Sequence, residues 1–363
     1  MRILFISLGC DKNLVDSEEM LYLLREKGYE ITDDEENADI IVVNTCCFIH
    51  DAKEESIDTI LEMGKYRLSG KVKALIVTGC LAQRYREEIL KEIPEVDAVL
   101  GTASYDDILE AVEKTLKGEK YLSFRPTDRL VDTGGGRIIT TGGAYEYLRI
   151  AEGCAKHCTY CVIPKVRGGY RSIPMERLLD TARQMVGEGV KELIVIAQET
   201  TLYGTDLYGK KSLHILLEKL CRIEGLVWIR LLYCYPEEIY PELVDTIARE
   251  PKICHYLDLP IQHCSDSILK RMGRKTTKAD LERIITEIRE RIPDMVIRTT
   301  LITGFPGETK EDHEELMQFV ADMAFDRLGV FTYSPEEDTP AAAMENQVPE
   351  EVKEQRKAEL MEL

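Results

Sequence analysis

Three short aliphatic runs, Ile3-Leu4-Phe5-Ile6, Ile40-Ile41-Val42-Val43 and Ala74-Leu75-Ile76-Val77, each lead within a few residues to a cysteine: Cys10, Cys46 and Cys80. Runs of this length, separated by stretches with helical spacing, mark strands buried on both faces of a parallel sheet. In such sheets functional groups gather beyond the carboxyl ends of the strands. Three thiols at the same ends of neighbouring strands can converge on one point, which confines this part of the chain to an α/β arrangement. A second trio, Cys154, Cys158 and Cys161, is compact and lies in Gly153-Cys154-Ala155-Lys156-His157-Cys158-Thr159-Tyr160-Cys161. The two trios predict two metal centres, each short of one protein ligand.

The alternation predicts strands over 3–8, 40–44, 73–78 and 98–100. Helices are expected from about Asp16 to Lys27 and over 51–67, 84–92 and 105–117, with Asp16 as an N-cap and Gly28 as a stop. Residues 118–144 contain Pro126, the triple glycine 134–136 and Gly142-Gly143 without helical periodicity. They read as a linker with room for one hairpin. From Tyr147 a second β/α series begins, with strands over 147–151, 192–197, 227–233, 255–260, 296–302 and 328–333. Six parallel strands predict an incomplete barrel, open on one side, with its functional residues again at the carboxyl ends. Two domains, 1–117 and 145–363, suit 363 residues better than one core does. A helix opened by Pro349 runs to Leu363 without a stop signal, which predicts that the chain is cut from a longer one.

No apolar run approaches the ~20 residues that cross a bilayer, and the chain enters a strand at once, leaving no room for a signal peptide. The expected location is therefore cytoplasmic, where eleven cysteines serve metals or cores rather than disulfides. The formal charge is −19. Residues 1–117 carry 14 basic and 25 acidic side chains, a net of −11, whereas residues 137–177 carry seven and three, a net of +4. An acidic body repels phosphate backbones and attracts a basic protein. Nucleic-acid binding by this chain is accordingly not expected, and the local positive strip suits an anionic site.

Thiolates four and three residues apart can wrap one corner of an iron–sulfur cubane and leave its fourth iron open to a small molecule. Zinc is the rival occupant, but a tetrahedral site needs a fourth ligand, for which His157 is the nearby candidate. On the zinc reading the protein is a non-catalytic interaction module.

The Cys154-x3-Cys158-x-Tyr160-Cys161 run resembles the signature of radical S-adenosylmethionine enzymes. With Ile163-Pro164-Lys165-Val166-Arg167-Gly168 behind it, it is similar to the methylthiotransferase family. Gly9-Cys10-Asp11-Lys12-Asn13, Asn44-Thr45-Cys46 and Thr78-Gly79-Cys80 resemble the other half of that family, as do Leu259-Pro260-Ile261-Gln262 and Gly304-Phe305-Pro306-Gly307-Glu308-Thr309. Leu8-Gly9-Cys10-Asp11-Lys12-Asn13 and Ile163-Pro164-Lys165 resemble the branch that modifies ribosomal protein S-twelve rather than the branches that modify a tRNA adenosine.

The resemblance implies a Rossmann- or flavodoxin-like amino-terminal domain followed by a radical-enzyme (β/α)6 partial barrel. It also implies two [4Fe-4S] clusters, on Cys10, Cys46 and Cys80 and on Cys154, Cys158 and Cys161, together with S-adenosylmethionine. The implied reaction places a methylthio group on the β-carbon of an aspartate in a basic ribosomal protein. A 5′-deoxyadenosyl radical abstracts hydrogen, and the second cluster's open iron holds the sulfur. The electron donor expected for such a centre is a small flavodoxin or ferredoxin. Cofactor contacts are expected for Tyr160, Gln198, Glu199, Thr200, Gly304, Glu308 and Tyr333. Turn chemistry alone also accounts for Gly304-Phe305-Pro306-Gly307, and core packing or a cap for Tyr333 and Ser334, whose other reading is to flank the adenine. Arg167 and Arg171 fall in the positive strip, where surface arginines are equally ordinary. Two departures stand out. The family's small carboxy-terminal β-barrel, the TRAM module, is absent, and Cys47 adds a seventh thiol beside Cys46. Cys221, Cys234, Cys254 and Cys264 read as core residues.

Overall fold

The computed structural model describes residues 1–363, which divide into two compact units. The division is not a single cut. Residues 1–142, 152–155 and 163–171 form the first unit, and 143–151, 156–162 and 172–363 the second.

The first unit is a parallel sheet flanked by helices. Its elements are β1 (Arg2–Ser7), α1 (Asp11–Glu26), β2 (Glu30–Thr32), β3 (Ile40–Thr45), α2 (His50–Leu68), β4 (Ala74–Gly79), α3 (Cys80–Tyr85), α4 (Glu87–Glu92), β5 (Ala98–Leu100), α5 (Ile108–Thr115), β6 (Tyr121–Ser123) and α6 (Ile163–Arg167). The strand order is β2-β1-β3-β4-β5-β6, every pair parallel. β3 and β4 are buried at every position, as central strands of a doubly covered sheet must be. Ile41, Val43, Leu75 and Val77 pack one face against Ile60 and Met63 of α2. Ile40, Val42 and Ile76 pack the other against Met20, Leu24, Ile108 and Val112.

Three expectations need correction here. α1 begins at Asp11, so Asp16 lies inside the helix and Cys10 is its N-cap. The helix expected over 84–92 is broken into α3 and α4 at Arg86, whose φ of 48° no helix accommodates. Residues 118–144 hold no hairpin; they supply β6, the sheet's sixth strand. They also tie back to the unit, since Ile138 N donates to Glu18 O and Arg137 pairs with the buried Glu18 carboxylate.

In the second unit six strands, Tyr145–Arg149, Glu192–Ile196, Trp228–Leu231, Ile253–Asp258, Val296–Thr303 and Arg327–Thr332, lie in sequence order and pair in parallel. The first and last strands stay unpaired with each other, so this is an open (β/α)6 arc rather than a closed barrel. Helices Lys278–Arg291 and Lys310–Met323 start in capping boxes built on Thr277 with Asp280 and on Thr309 with Asp312. The last helix, Glu350–Glu362, buries Lys353, Arg356 and Leu360. No helix is long and apolar enough to cross a membrane.

Candidate functional site

Cys10, Cys46 and Cys80 all lie just past the carboxyl ends of their strands, β1, β3 and β4, which are adjacent in the sheet. Gly9 brings the first two together. Its φ is +91°, and a Cβ placed there would stand 2.7 Å from Cys46 Cβ and 3.0 Å from Cys46 Sγ. Only glycine permits that approach.

Asn13, fully buried, is the hub beneath the thiols. Its amide nitrogen donates to Leu8 O and to Thr45 O, both at 2.9 Å, which fixes the end of β3 against the loop after β1. Its side-chain oxygen receives Arg167 and lies 3.7 Å from Cys80 Sγ. Asn44 supports the hub by donating to Asn13 O at 2.9 Å, and Ser56 holds the Cys46 backbone from both sides.

Burial pushes the Cys46 thiol up, against amide N–H groups of Phe48 and Cys47 and the charge of Arg167; Cys10 acts in the raising direction. Burial also pushes the Cys80 thiol well up, with Arg167 the leading opposing charge and Cys47, Cys46 and Cys10 adding to the rise. Cys47 is fully enclosed in the core with Ile60, Met63 and Leu81, while Cys46 faces Gly9. Of the two, Cys46, in the Asn44-Thr45-Cys46 register, is the one that stands against the loop carrying Cys10.

Of the compact trio, Cys154 folds with the first unit and Cys158 and Cys161 with the second. Cys154 N donates to Gly168 O at 3.1 Å. In the second unit Cys161 N donates to Cys158 O at 3.1 Å, a tight turn that leaves both sulfurs on one short loop. Thr159 fastens this loop: its N–H donates to Met272 O, its hydroxyl to Arg271 O, and its carbonyl accepts from Ala341 N. Cys158 Sγ lies 4.0 Å from the Tyr235 hydroxyl. Arg274 stacks on the Tyr235 ring at 4.3 Å and pairs with Glu237 at 3.1 Å, leaving its Nε and Nη1 buried without a hydrogen-bond partner. Neither Tyr235 nor Arg274 carries a sequence signal, because the loops that deliver them share no motif with the trio.

The remaining expected residues sort by what already holds them. Glu199, fully buried after the strand Glu192–Ile196, accepts Thr201 N on Oε1 and leaves Oε2 unpartnered; Gln198 Oε1 is likewise buried and unpartnered. Burial raises the Glu199 carboxyl to about 7. These atoms could bind a polar ligand group. Thr200 is committed, its hydroxyl donating to Leu232 O at 2.6 Å.

Tyr160, Phe305 and Tyr333 form an aromatic series, edge to face at 6.3 and 5.1 Å, and the buried Tyr333 hydroxyl has no partner. Burial raises both phenols, Tyr333 to about 12. Glu308 is enclosed, accepting Phe305 N at 3.1 Å and pairing with Arg356 at 2.7 Å. Beside Gly304 the space a Cβ would need is filled by the stem of Lys353, so the close approach expected there is made by this chain's own last helix. Arg171 spends its guanidinium on Gly169 O and Arg167 O. Ser334 donates to Glu336 at 2.9 Å.

No three His, Cys, Asp or Glu side chains surround a common point closely enough to chelate a single ion, and His157 is exposed. A cubane places each thiolate on a different iron and so asks for wider spacing than one zinc ion does. The donor set fits the cluster: soft thiolates only, a glycine cradle filled by Cys46, and a buried cation beside them.

Residues 2–101 match the family described as Uncharacterized protein family UPF0004, and residues 148–320 match the Radical SAM superfamily. The whole chain is 65% identical over 363 residues to ribosomal protein uS12 methylthiotransferase RimO of Lachnoclostridium phytofermentans, covering 82% of that protein. It is 53% identical over 359 residues to the RimO of Clostridium tetani, covering 99% of this chain and 80% of that one. The fold is similar to that of a radical S-adenosylmethionine methyltransferase, TsrM, from Kitasatospora setae. The TM-score is 0.66 at 15% identity, over 94% of this chain and 76% of that chain. The chain belongs to the RimO family of ribosomal protein uS12 methylthiotransferases.

Proposed function

We infer that this chain is a radical S-adenosylmethionine methylthiotransferase of ribosomal protein uS12, with one [4Fe-4S] site on Cys154, Cys158 and Cys161 and a second on Cys10, Cys46 and Cys80. The observation that supports the two-centre form is that Cys10, Cys46 and Cys80 each follow one of three adjacent strand ends, with Gly9 against Cys46 and Asn13 beside Cys80. With a cluster on the compact trio, S-adenosylmethionine supplies one-electron chemistry for an unactivated C–H bond, which no side-chain base opens at neutral pH.

The chain's own contribution is binding and exclusion of water. Gln198 Oε1 and Glu199 Oε2 are the open polar atoms at a strand's carboxyl end, suited to the cofactor's amino or ribose groups. With its carboxyl near 7, Glu199 is available both as a donor and as an acceptor around neutral pH. Tyr160, Phe305 and Tyr333 supply an apolar wall with two unpartnered hydroxyls, those of Tyr160 and Tyr333. Glu308 and Thr200, already saturated by protein partners, shape the loops rather than hold ligand.

The substrate atom is the β-carbon of an aspartate, the electron donor a small flavodoxin or ferredoxin, and the setting the cytoplasm. The first follows from the family resemblance of the cysteine motifs, the second from the low potential expected of such a centre, and the third from a ribosomal substrate. The test is anaerobic reconstitution with iron and sulfide, then incubation with reductant, S-adenosylmethionine and either uS12 or tRNA. One methylthio group in place of one hydrogen on a uS12 aspartate is expected by mass spectrometry. Product on tRNA with none on the protein would overturn the reading. A colourless, zinc-loaded protein without cofactor cleavage would point to the interaction module instead.

A further inference from the structure

Arg167 follows the compact trio in sequence, yet it folds with the first unit and at the other set of thiols. Its side chain is 2% exposed and meets Asp16 at 2.8 Å and Glu152 at 3.4 Å. A third contact goes to the side-chain oxygen of Asn13, the same oxygen that lies 3.7 Å from Cys80 Sγ. One amide oxygen therefore separates a buried guanidinium from one of the three expected ligands. The same cation acts on Cys10 and Cys46 as well. Lys12, the other buried cation of this segment, is tied to Asp11 at 3.2 Å.

A charge buried this deeply is costly unless anions surround it. Two carboxylates already do so, and a cluster on three thiolates adds further negative charge to the same enclosure. In such surroundings a fixed positive charge favours the state that carries one more electron, and a fixed negative charge opposes it.

We propose that Arg167 is the buried counter-ion of the cluster on Cys10, Cys46 and Cys80 and raises its reduction potential, with Asp16 limiting how much of that charge the cluster feels. Arg167 is a tuning residue, not a ligand. The inference rests on the two-centre reading, and the experiment separates the two. In the full chain carrying Cys154→Ala, Cys158→Ala and Cys161→Ala, only the second centre remains. Iron and sulfide are quantified after anaerobic reconstitution, and the midpoint of the one-electron couple is measured by redox titration followed by electron paramagnetic resonance.

About four irons per chain are expected in this background; their absence sinks the two-centre reading and this inference with it. With iron bound, Arg167→Gln is expected to move the midpoint to more negative potential, Arg167→Lys to leave it near the parent's, and Asp16→Asn to move it to more positive potential. A merely structural role lowers iron content without shifts of opposite sign. Unmoved midpoints in iron-loaded Arg167→Gln and Asp16→Asn, or shifts in the same direction, overturn the proposal. Should Arg167→Gln fail to fold, Asp16→Asn decides alone: no rise overturns it.

Discussion

Asn13 shows how much one side chain can decide. It is fully buried and donates to the carbonyls of Leu8 and Thr45, which close two strand ends. Asn13→Ala leaves both carbonyls, and the Arg167 guanidinium, short of a partner. Each buried group so orphaned costs roughly 1–3 kcal/mol. A loss of about 3 kcal/mol is therefore expected by denaturant unfolding, with iron uptake failing at the Cys10 centre. The Cys10-to-Asn13 run was legible as a motif, but the hub role was not. Sequence pattern carries no record of which carbonyl an amide will meet. Glu199 and His263 respond to pH in opposite directions. Burial holds the Glu199 carboxyl at about 7, above its unfolded value of 4.5, so the folded state binds more protons between those limits. Stability from this group is present at low pH and is lost as pH rises from about 4.5 to about 7, by about 3 kcal/mol in all. His263 is buried, with Ser265 N donating to its Nδ1, and burial lowers it from 6.5 to about 3. Its contribution is present above about 6.5 and is lost as pH falls toward about 3. The two slopes oppose each other between about 4.5 and about 6.5. Glu199→Gln should unmask the histidine slope, making stability rise with pH across that window. A pH series of urea midpoints that stays flat in the variant would contradict the assignment.

Among elements, the last helix is expected from Pro349 onward, but the way it docks is not. Its residues show almost no apolar stripe, and it is held by Lys353 Nζ on Tyr333 O at 2.9 Å, by Arg356 on Glu308, and by Leu360 in the core. The polar face does the docking, which is why hydrophobic periodicity does not reveal how the helix packs. Arg356→Ala strands the Glu308 carboxylate, whose side chain is fully enclosed. Breaking a buried pair from one side costs about 3–5 kcal/mol. Faster hydrogen exchange across 350–362 is expected along with that loss. Arg356→Met with Glu308→Gln should recover much of the stability; no recovery would show that the pair is not what anchors the helix. The central strands were readable because burial on both faces forces continuous aliphatic runs. β2 and β6 were not, since edge strands of three residues, Glu30-Ile31-Thr32 and Tyr121-Leu122-Ser123, carry no such run. The early start of α1 was hidden for another reason: its N-cap is a cysteine that makes no capping bond.

At the scale of the whole molecule, the order of residues and the grouping of residues in space part company. Residues 152–155 and 163–171 fold with the first unit although the second unit's first strand precedes them. No composition shift marks that exchange, so a boundary drawn along the chain misses it, and Arg167, expected in the positive strip, is among the residues exchanged. Charge, by contrast, is a sum over the sequence and needs no fold to be read. At −19 the chain should draw a basic ribosomal protein by long-range attraction that salt screens. Encounter is the salt-sensitive step, whereas the buried groups at the site lie beyond the reach of screening. KM for uS12 is therefore expected to rise roughly tenfold between low salt and about 0.5 M salt, with kcat little changed. A nucleic-acid substrate would meet repulsion instead, and moderate salt would first help it bind. Initial rates across a salt series, with uS12 and tRNA in parallel, distinguish the two: a KM for uS12 that falls or stays level with salt would remove charge attraction as the reason this acidic chain finds its substrate.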